Sequence, residues 1–156
     1  MSISNAILSA YRTMYDRKWD KIYWAIDLHG VCLKSTYETN TYEWINKDVV
    51  IGLQAIASKP ESVIILWSSC HPREYDAIIE FFKKENINVS YFNRNPEVPN
   101  TTTGCFTDKF YFSVLLDDKA GFDPFADWLE ISDLLYGGSL DLMYGRSSNK
   151  NFKWVK

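Results

Sequence analysis

The sequence predicts an α/β fold, a three-layer and doubly wound parallel sheet with helices between its strands. Short apolar runs at about 22–27, 63–67 and 111–116 have the length and composition of buried strands. Segments with helical periodicity separate these runs, and alternation of strands and helices is typical of right-handed βαβ units. The 156 residues are enough for one domain with its own core.

The predicted elements follow one another with short connections. In the second helix, for example, Val49, Leu53 and Ile56 fall on one face. A long segment at 93–104 is rich in Asn, Pro, Thr and Gly, and loops of this length are often functional or mobile. The helices are expected at 4–16, at about 48–58, after Pro72 and from Asp123 to about 136, and the strands at 22–27, 63–67, 89–92 and 111–116.

The chain is expected to form a single domain over residues 1–156. Its core covers about 20–136, and residues 139–156 form a C-terminal extension that contains three lysines and shows no clear period. No repeat or low-complexity tract interrupts the core, so a second domain is not expected.

Composition and charge exclude several classes of function. The net charge of −3 and the pI of about 5.4 argue against broad binding to nucleic-acid phosphates. Cys32, Cys70 and Cys105 form no paired motif, which favours free thiols in a reducing compartment. The apolar runs are too short to cross a bilayer, and no signal peptide precedes them, so a cytoplasmic location without membrane contact is expected.

Polar side chains follow three of the predicted strands, at the point where each strand ends. Asp27 ends the first strand, Ser68 and Ser69 follow the second, and Asp117 and Asp118 follow the last. The carboxyl ends of parallel strands share one edge of a sheet, and ligands bind there where the strand order reverses. We therefore expect these side chains to converge.

The converging residue types indicate a phosphoryl-transfer site. Clustered carboxylates repel one another unless a cation neutralises them. Oxygen ligands favour Mg²⁺, which keeps several waters and accepts a substrate phosphate. A serine hydroxyl with nearby backbone N–H groups suits phosphate oxygens, and a lysine would neutralise charge during the transfer.

Three segments resemble the signature motifs of the haloacid dehalogenase-like (HAD) hydrolase superfamily, whose core is Rossmann-like. Residues 22–31 resemble the first motif, a strand that ends in Asp-x-Asp-Gly. Residues 63–69 resemble the second motif, a strand that ends in Ser or Thr, and residues 115–118 resemble the acidic fourth motif. The resemblance covers about residues 20–130. It implies a Mg²⁺-dependent phosphatase that cleaves a phosphomonoester through an aspartyl-phosphate.

The resemblance also implies a role for each matching residue. Asp27 would be the nucleophile and a metal ligand, and the backbone carbonyl of His29 would ligate the same Mg²⁺. Asp117 and Asp118 would hold the metal directly or through water. The basic third motif is the weakest match; Lys109 is the first choice, and Lys83 and Lys84 are alternatives. Ser68 would bind the phosphoryl group, with Ser69 beside it.

His29 departs from the family pattern, because phosphatases of this family usually have a second Asp at that position. General acid–base catalysis contributes roughly 10²–10⁴-fold to a rate, and histidine can supply it. Three possibilities stay open: a phosphatase that uses His29, a slow phosphatase, and a family member that has lost hydrolysis. The last would be a module that binds a phosphorylated ligand or a partner protein.

The spacing of the motifs leaves no room for a sizeable cap domain. About forty residues separate Asp27 from Ser68, and a helix occupies many of them. Capless members generally have an open site, which suits a larger phosphorylated substrate, such as a nucleotide or a nucleic-acid end, or closure by a second copy of the chain. A phospho-accepting receiver domain is a more distant alternative, which the order of the motifs disfavours.

Overall fold

The computed structural model describes residues 2–138 and 140, apart from residues 37 and 39. Within them lie four α-helices, four β-strands and two short 3₁₀ turns. Most of the predicted C-terminal extension therefore lies outside the described residues. The helices are α1 (Ile3–Asp16), α2 (Lys47–Ala57), α3 (Tyr75–Lys83) and α4 (Asp127–Tyr136); the strands are β1 (Ile22–Asp27), β2 (Ser62–Trp67), β3 (Tyr91–Phe92) and β4 (Val114–Leu116).

Several predicted boundaries differ from the structure. The third strand begins at Tyr91 rather than 89, and the helix expected after Pro72 begins at Tyr75, after a 3₁₀ turn. Two further differences have local reasons. The last strand begins at Val114 rather than 111, because the Ser113 hydroxyl, instead of a backbone carbonyl, accepts the Tyr23 N–H at 2.9 Å. The last helix begins at Asp127, because Asp123 forms a turn of its own and accepts the N–H of Phe125 on its side chain. The bounds predicted for β1 are confirmed.

The four strands form one parallel sheet in the order β3-β2-β1-β4. The chain moves outward from β1 to β2 and β3, and then returns to the other side of β1. The strand order therefore reverses at β1, whose last residue, Asp27, lies opposite Trp67 of β2. This is the place in an open α/β sheet where ligands bind.

The two faces of the sheet are covered differently. Residues Ile22, Trp24 and Ile26 belong to the main core, which contains buried residues from all four helices. The opposite face presents Tyr23, Val63 and Ile65, which pack against side chains between β3 and β4. No described helix contributes to this second cluster, so the irregular segment 93–113 covers the face where a doubly wound sheet would have a second helical layer.

Local sequence features place α2 against the sheet and against α4. Asn46 caps α2, because its side chain accepts the N–H groups of Asp48 and Val49. Gly52 lets α2 approach α4 closely, since a Cβ at this position would lie 2.4 Å from the Trp128 ring. The Trp128 indole in turn donates a hydrogen bond to the carbonyl of Val31, in the loop that follows β1, at 2.9 Å. Helix packing thus fixes the loop beside Asp27.

Candidate functional site

Three carboxylates converge at the carboxyl end of the sheet. Asp27 ends β1, and Asp117 and Asp118 directly follow the neighbouring parallel strand β4. One carboxylate oxygen from each residue lies within 4.8 Å of the others. We call Asp27, Asp117 and Asp118 the carboxylate site. The convergence expected of the three carboxylates is seen in the geometry.

The loop after β1 approaches this site closely because it contains a glycine. Gly30 has a φ of +89°, and its N–H donates to the carbonyl of Leu33 at 2.9 Å. A Cβ at this position would lie 2.8 Å from an Asp118 carboxylate oxygen. Glycine therefore satisfies both the left-handed backbone and the contact with Asp118.

Burial is the largest cause that raises the pKa of the half-buried Asp27 carboxyl, and the neighbouring Asp117 and Asp118 carboxyl groups add to it, so that the pKa rises from its ordinary 3.8 to about 6. A backbone hydrogen bond from Leu28 acts in the opposite direction. Asp117 and Asp118 each accept the Lys119 N–H, at 2.9 and 3.0 Å. The site thus concentrates negative charge, and among the described residues no Lys, Arg or His side chain forms an ion pair with these carboxylates.

The geometry of the carboxylate site fits a small divalent cation. Oxygen ligands of an octahedral Mg²⁺ are about 2.9 Å apart when they are neighbours and about 4.2 Å apart when they are opposite, for a metal–oxygen distance of about 2.1 Å. The three carboxylate oxygens lie within 4.8 Å of one another, so they would have to move closer together to share one ion. A cation bound there would also remove the repulsion that raises the Asp27 pKa. Asp27, Asp117 and Asp118 are therefore the residues that could hold a metal.

Ser68 lies one residue beyond the point where β2 faces Asp27. Its backbone is held by Asn93, whose side chain accepts the Ser68 N–H at 2.8 Å and donates to the Ser68 carbonyl at 2.7 Å. Its hydroxyl accepts the Cys70 N–H at 3.1 Å and also contacts the Cys70 side chain. Ser69 is exposed beside it.

The two remaining predicted residues lie on either side of this arrangement. His29 is half-buried two residues after Asp27, and its backbone bridges to Leu33. Lys109 is exposed, with its ammonium 5.6 Å from the centre of the Phe112 ring. Lys83 and Lys84, the alternatives to Lys109, are exposed at the end of α3.

Sequence reasoning missed Asn93 as a residue of this site. The long segment 93–104 was expected to be functional or mobile, but no pattern singled out its first residue. Asn93 has a φ of +55°, a backbone region in which Asn is several-fold enriched. The Asn93 side chain has a third partner as well, because its amide group donates to the Tyr75 hydroxyl at 3.0 Å.

Comparison with known proteins supports the fold alone. No family model and no curated protein matches the sequence. Among solved structures, the chain is similar to a conserved protein from Bacteroides thetaiotaomicron, with a TM-score of 0.56 and 20% sequence identity over 81% of this chain and 98% of that one. The protein is therefore an α/β protein with a Rossmann-like, four-stranded parallel sheet.

Within the described part of the chain, no helix is both long enough and apolar enough to cross a bilayer.

Proposed function

We propose that this protein is a Mg²⁺-dependent phosphohydrolase of the HAD type that cleaves a phosphomonoester through an aspartyl-phosphate. The observation that carries the proposal is the convergence of Asp27, Asp117 and Asp118 at the point where the strand order reverses. Mg²⁺ held by these residues and by the His29 carbonyl would neutralise the charge that develops on the phosphoryl group.

Asp27 is the nucleophile in this proposal. A carboxylate oxygen of Asp27 attacks phosphorus, the bond from phosphorus to the leaving oxygen breaks, and the leaving alkoxide takes a proton. Water then attacks the aspartyl-phosphate, which releases inorganic phosphate, restores the carboxylate and gives up a proton. Half-burial suits this role, because a carboxylate with less hydration is a better nucleophile.

His29 supplies and recovers the proton in the same scheme. It lies on the rigid loop two residues after Asp27, and that loop is anchored by the Trp128 hydrogen bond. The imidazole gives its proton to the leaving oxygen and later takes one from the attacking water.

Ser68, Ser69 and Lys109 bind the phosphoryl group. The Ser68 hydroxyl donates to a phosphoryl oxygen while it keeps the Cys70 N–H as its own donor. Lys109 would leave its position over the Phe112 ring to reach the phosphate. An exposed cation–π contact contributes only about 0.5–1 kcal/mol, so this movement costs little.

The finer features of the fold belong to the same proposal. The core would be a HAD-type sheet without a sizeable cap, and among the described residues the segment 93–113 lies where a second helical layer would be. An open site of this kind suits a nucleotide or a nucleic-acid end as the cytoplasmic substrate, or closure by a second copy of the chain.

A second candidate function follows from His29. A histidine where the family has a carboxylate, together with a lysine that does not contact the carboxylates, also suits a module that binds a phosphorylated ligand without turning it over. Such a module would keep the metal and phosphate contacts and lack the efficient proton transfer.

Hydrolysis of an aryl phosphate with and without Mg²⁺ separates the two candidates. Wild type should hydrolyse it in a Mg²⁺-dependent way, and Asp27→Asn should lose about 10⁴-fold or more of the rate, since it removes the nucleophile. Asp133→Asn, an exposed carboxylate on α4, is the matched control and should leave the rate unchanged.

Two results would overturn parts of the proposal. Activity that survives Asp27→Asn would exclude this nucleophile. Absence of turnover in wild type over a broad panel of phosphomonoesters, combined with Mg²⁺-dependent phosphate binding, would favour the binding module. A rate increase in His29→Asp would show that histidine limits the natural reaction.

A further inference from the structure

A cavity lies at the opposite end of the sheet from the carboxylate site. Its volume is about 620 Å³, within the range of roughly 300–1,000 Å³ that is typical of small-molecule sites. It is lined by residues just before and at the start of β1 and by the segment 97–111. At about 3.3 Å per residue, Tyr23 lies ~13 Å from Asp27 along β1. We call this the amino-end cavity.

Four aromatic rings line the amino-end cavity, and three of them contact the fourth, Tyr111. The rings of Trp19, Tyr23 and Phe106 each stand nearly perpendicular to the Tyr111 ring, with centroids 5.6, 6.0 and 5.9 Å away. Val98 and Pro99 add further apolar surface. Ring faces and edges in this arrangement suit a planar aromatic group.

The polar groups of the amino-end cavity are of both signs. Arg17 lies with its guanidinium 5.0 Å from the Trp19 ring, and Lys21 and the acidic Asp20 also line the cavity. Glu97 accepts hydrogen bonds from the Tyr91 hydroxyl at 2.7 Å and from the Tyr23 hydroxyl at 3.4 Å. Burial, together with the charge of Glu97, raises the pKa of Tyr23 to about 12, so this phenol keeps its proton and remains a donor.

The size and the charges narrow the class of ligand. With a volume of about 620 Å³, the cavity lies well inside the range of roughly 300–1,000 Å³ that is typical of sites for drug-sized ligands. Arg17 and Lys21 suit an anion, because an arginine guanidinium binds phosphate through two parallel hydrogen bonds. Two acidic residues, Asp20 and Glu97, balance these charges, so the cavity suits a ligand that carries both an anionic group and N–H donors. An organic cation fits less well, because Arg17 already occupies the Trp19 face. Glu97 has acceptor capacity beyond its two phenol donors and can receive a ring N–H.

We propose that the amino-end cavity binds a nucleoside monophosphate. The base lies among Tyr23, Phe106 and Tyr111 with a donor toward Glu97, and the phosphate faces Arg17 and Lys21. This site is separate from the carboxylate site, so the inference does not depend on the proposed phosphohydrolase activity. A ligand held there would contact the segment 97–111, which extends to the residues just before β4.

Isothermal titration of the full chain with the four common ribonucleoside monophosphates, in the presence of a metal chelator, tests this proposal. The chelator removes metal-dependent binding at the carboxylate site. At least one nucleotide should bind with a Kd below about 1 mM, and ribose phosphate without a base should bind much more weakly. Asp27→Asn should bind the nucleotide as wild type does.

Two pairs of variants locate the ligand. Thr103→Trp places a large side chain in the cavity and should abolish binding, whereas Thr102→Trp, an exposed neighbour that does not line it, should not. Arg17→Gln should weaken binding about tenfold or more through loss of a charged hydrogen bond, whereas Arg12→Gln, exposed on α1, should leave it unchanged.

Three results would contradict the proposal. Absence of binding by all four nucleotides up to about 1 mM would exclude the ligand class. Binding that survives Thr103→Trp but is lost in Asp27→Asn would place the ligand at the carboxylate site instead. Equal binding of ribose phosphate would show that the aromatic rings contribute nothing.

Discussion

The carboxylate site and the amino-end cavity lie at opposite ends of β1 in one sheet, and they are assembled in different ways. Every residue of the carboxylate site ends a strand or directly follows one, so the sheet topology alone brings them together. The amino-end cavity is instead formed by the segment before β1 and by irregular chain at 97–111. Sites at strand ends leave a pattern in the sequence, and sites formed by irregular segments do not.

The largest effect expected from this comparison is a difference in hydrolysis rate between a variant of the carboxylate site and a variant of the amino-end cavity. Asp118→Asn should lower the proposed Mg²⁺-dependent phosphohydrolase rate by about 100-fold, because one charged ligand oxygen is lost. Thr103→Trp in the amino-end cavity should leave the rate within about twofold, measured without added nucleotide, since an exposed surface change rarely perturbs a remote site. Steady-state kinetics with an aryl phosphate measure both. Equal losses in the two variants would show that the regions are one functional unit.

The next largest effect concerns the glycine that touches the carboxylate site. Gly30→Ala and Gly121→Ala both place a Cβ on a residue with positive φ, at +89° and +100°, and this alone costs about 1 kcal/mol. Only at Gly30 would the Cβ also meet an Asp118 oxygen, whereas at Gly121 no atom lies within 4 Å. Urea unfolding should therefore show a loss of about 2 kcal/mol for Gly30→Ala and about 1 kcal/mol for Gly121→Ala.

The same pair of variants tests metal binding. Added Mg²⁺ should raise the unfolding temperature of wild type and of Gly121→Ala, and raise it less in Gly30→Ala, where Asp118 is displaced. A similar Mg²⁺ response in both variants would mean that Asp118 is not close to a bound metal.

The predictable part of the molecule is the part that follows from strand periodicity. The bounds of β1 and the convergence of Asp27 with Asp117 and Asp118 follow from apolar runs that end in acids, because parallel strands align their carboxyl ends. The Rossmann-like parallel sheet follows from the same runs and the helices between them. The roles of these residues in catalysis stay predictions.

The rest depends on contacts between residues that are distant in the sequence. The doubly wound description assumed helices on both faces, but 93–113 has no helical period and instead covers Tyr23, Val63 and Ile65 as irregular chain. Asn93 was missed because its partner Ser68 is 25 residues away. The amino-end cavity was missed for the same reason, since Trp19 and Tyr111 are in contact but lie far apart in the sequence.

Asn93 is expected to stabilise the turn after β2. Asn93→Ala removes the hydrogen bonds to the Ser68 backbone and to the Tyr75 hydroxyl, and should cost about 1.5 kcal/mol. Asn86 is the matched control, because it is exposed and has the same left-handed backbone, with a φ of +61° against +55°. Asn86→Ala should cost less than about 0.5 kcal/mol. Faster hydrogen exchange at the Ser68 amide only in Asn93→Ala would locate the effect, and equal losses in both variants would exclude it.

The smallest expected effect is a pH-dependent gain in stability when Asp27 becomes neutral. In the metal-free protein the folded chain holds the Asp27 proton up to a pH of about 6, whereas the unfolded chain releases it near 3.8. The folded state therefore binds more protons between these values, and its stability falls as the pH rises through them. Asp27→Asn should be more stable than wild type above pH 6, by about 1 kcal/mol once solvent screening of this half-buried group is allowed for, and the two should converge below pH 4.

Denaturant unfolding of both proteins across this pH range, with a chelator present, measures the difference. Saturating Mg²⁺ should reverse the order at neutral pH, because the cation binds the ionised wild-type site and stabilises only the folded state. If Asp27→Asn is instead the less stable protein in chelator at neutral pH, the three carboxylates do not repel one another in the folded chain, and the electrostatic case for a cation at the carboxylate site fails.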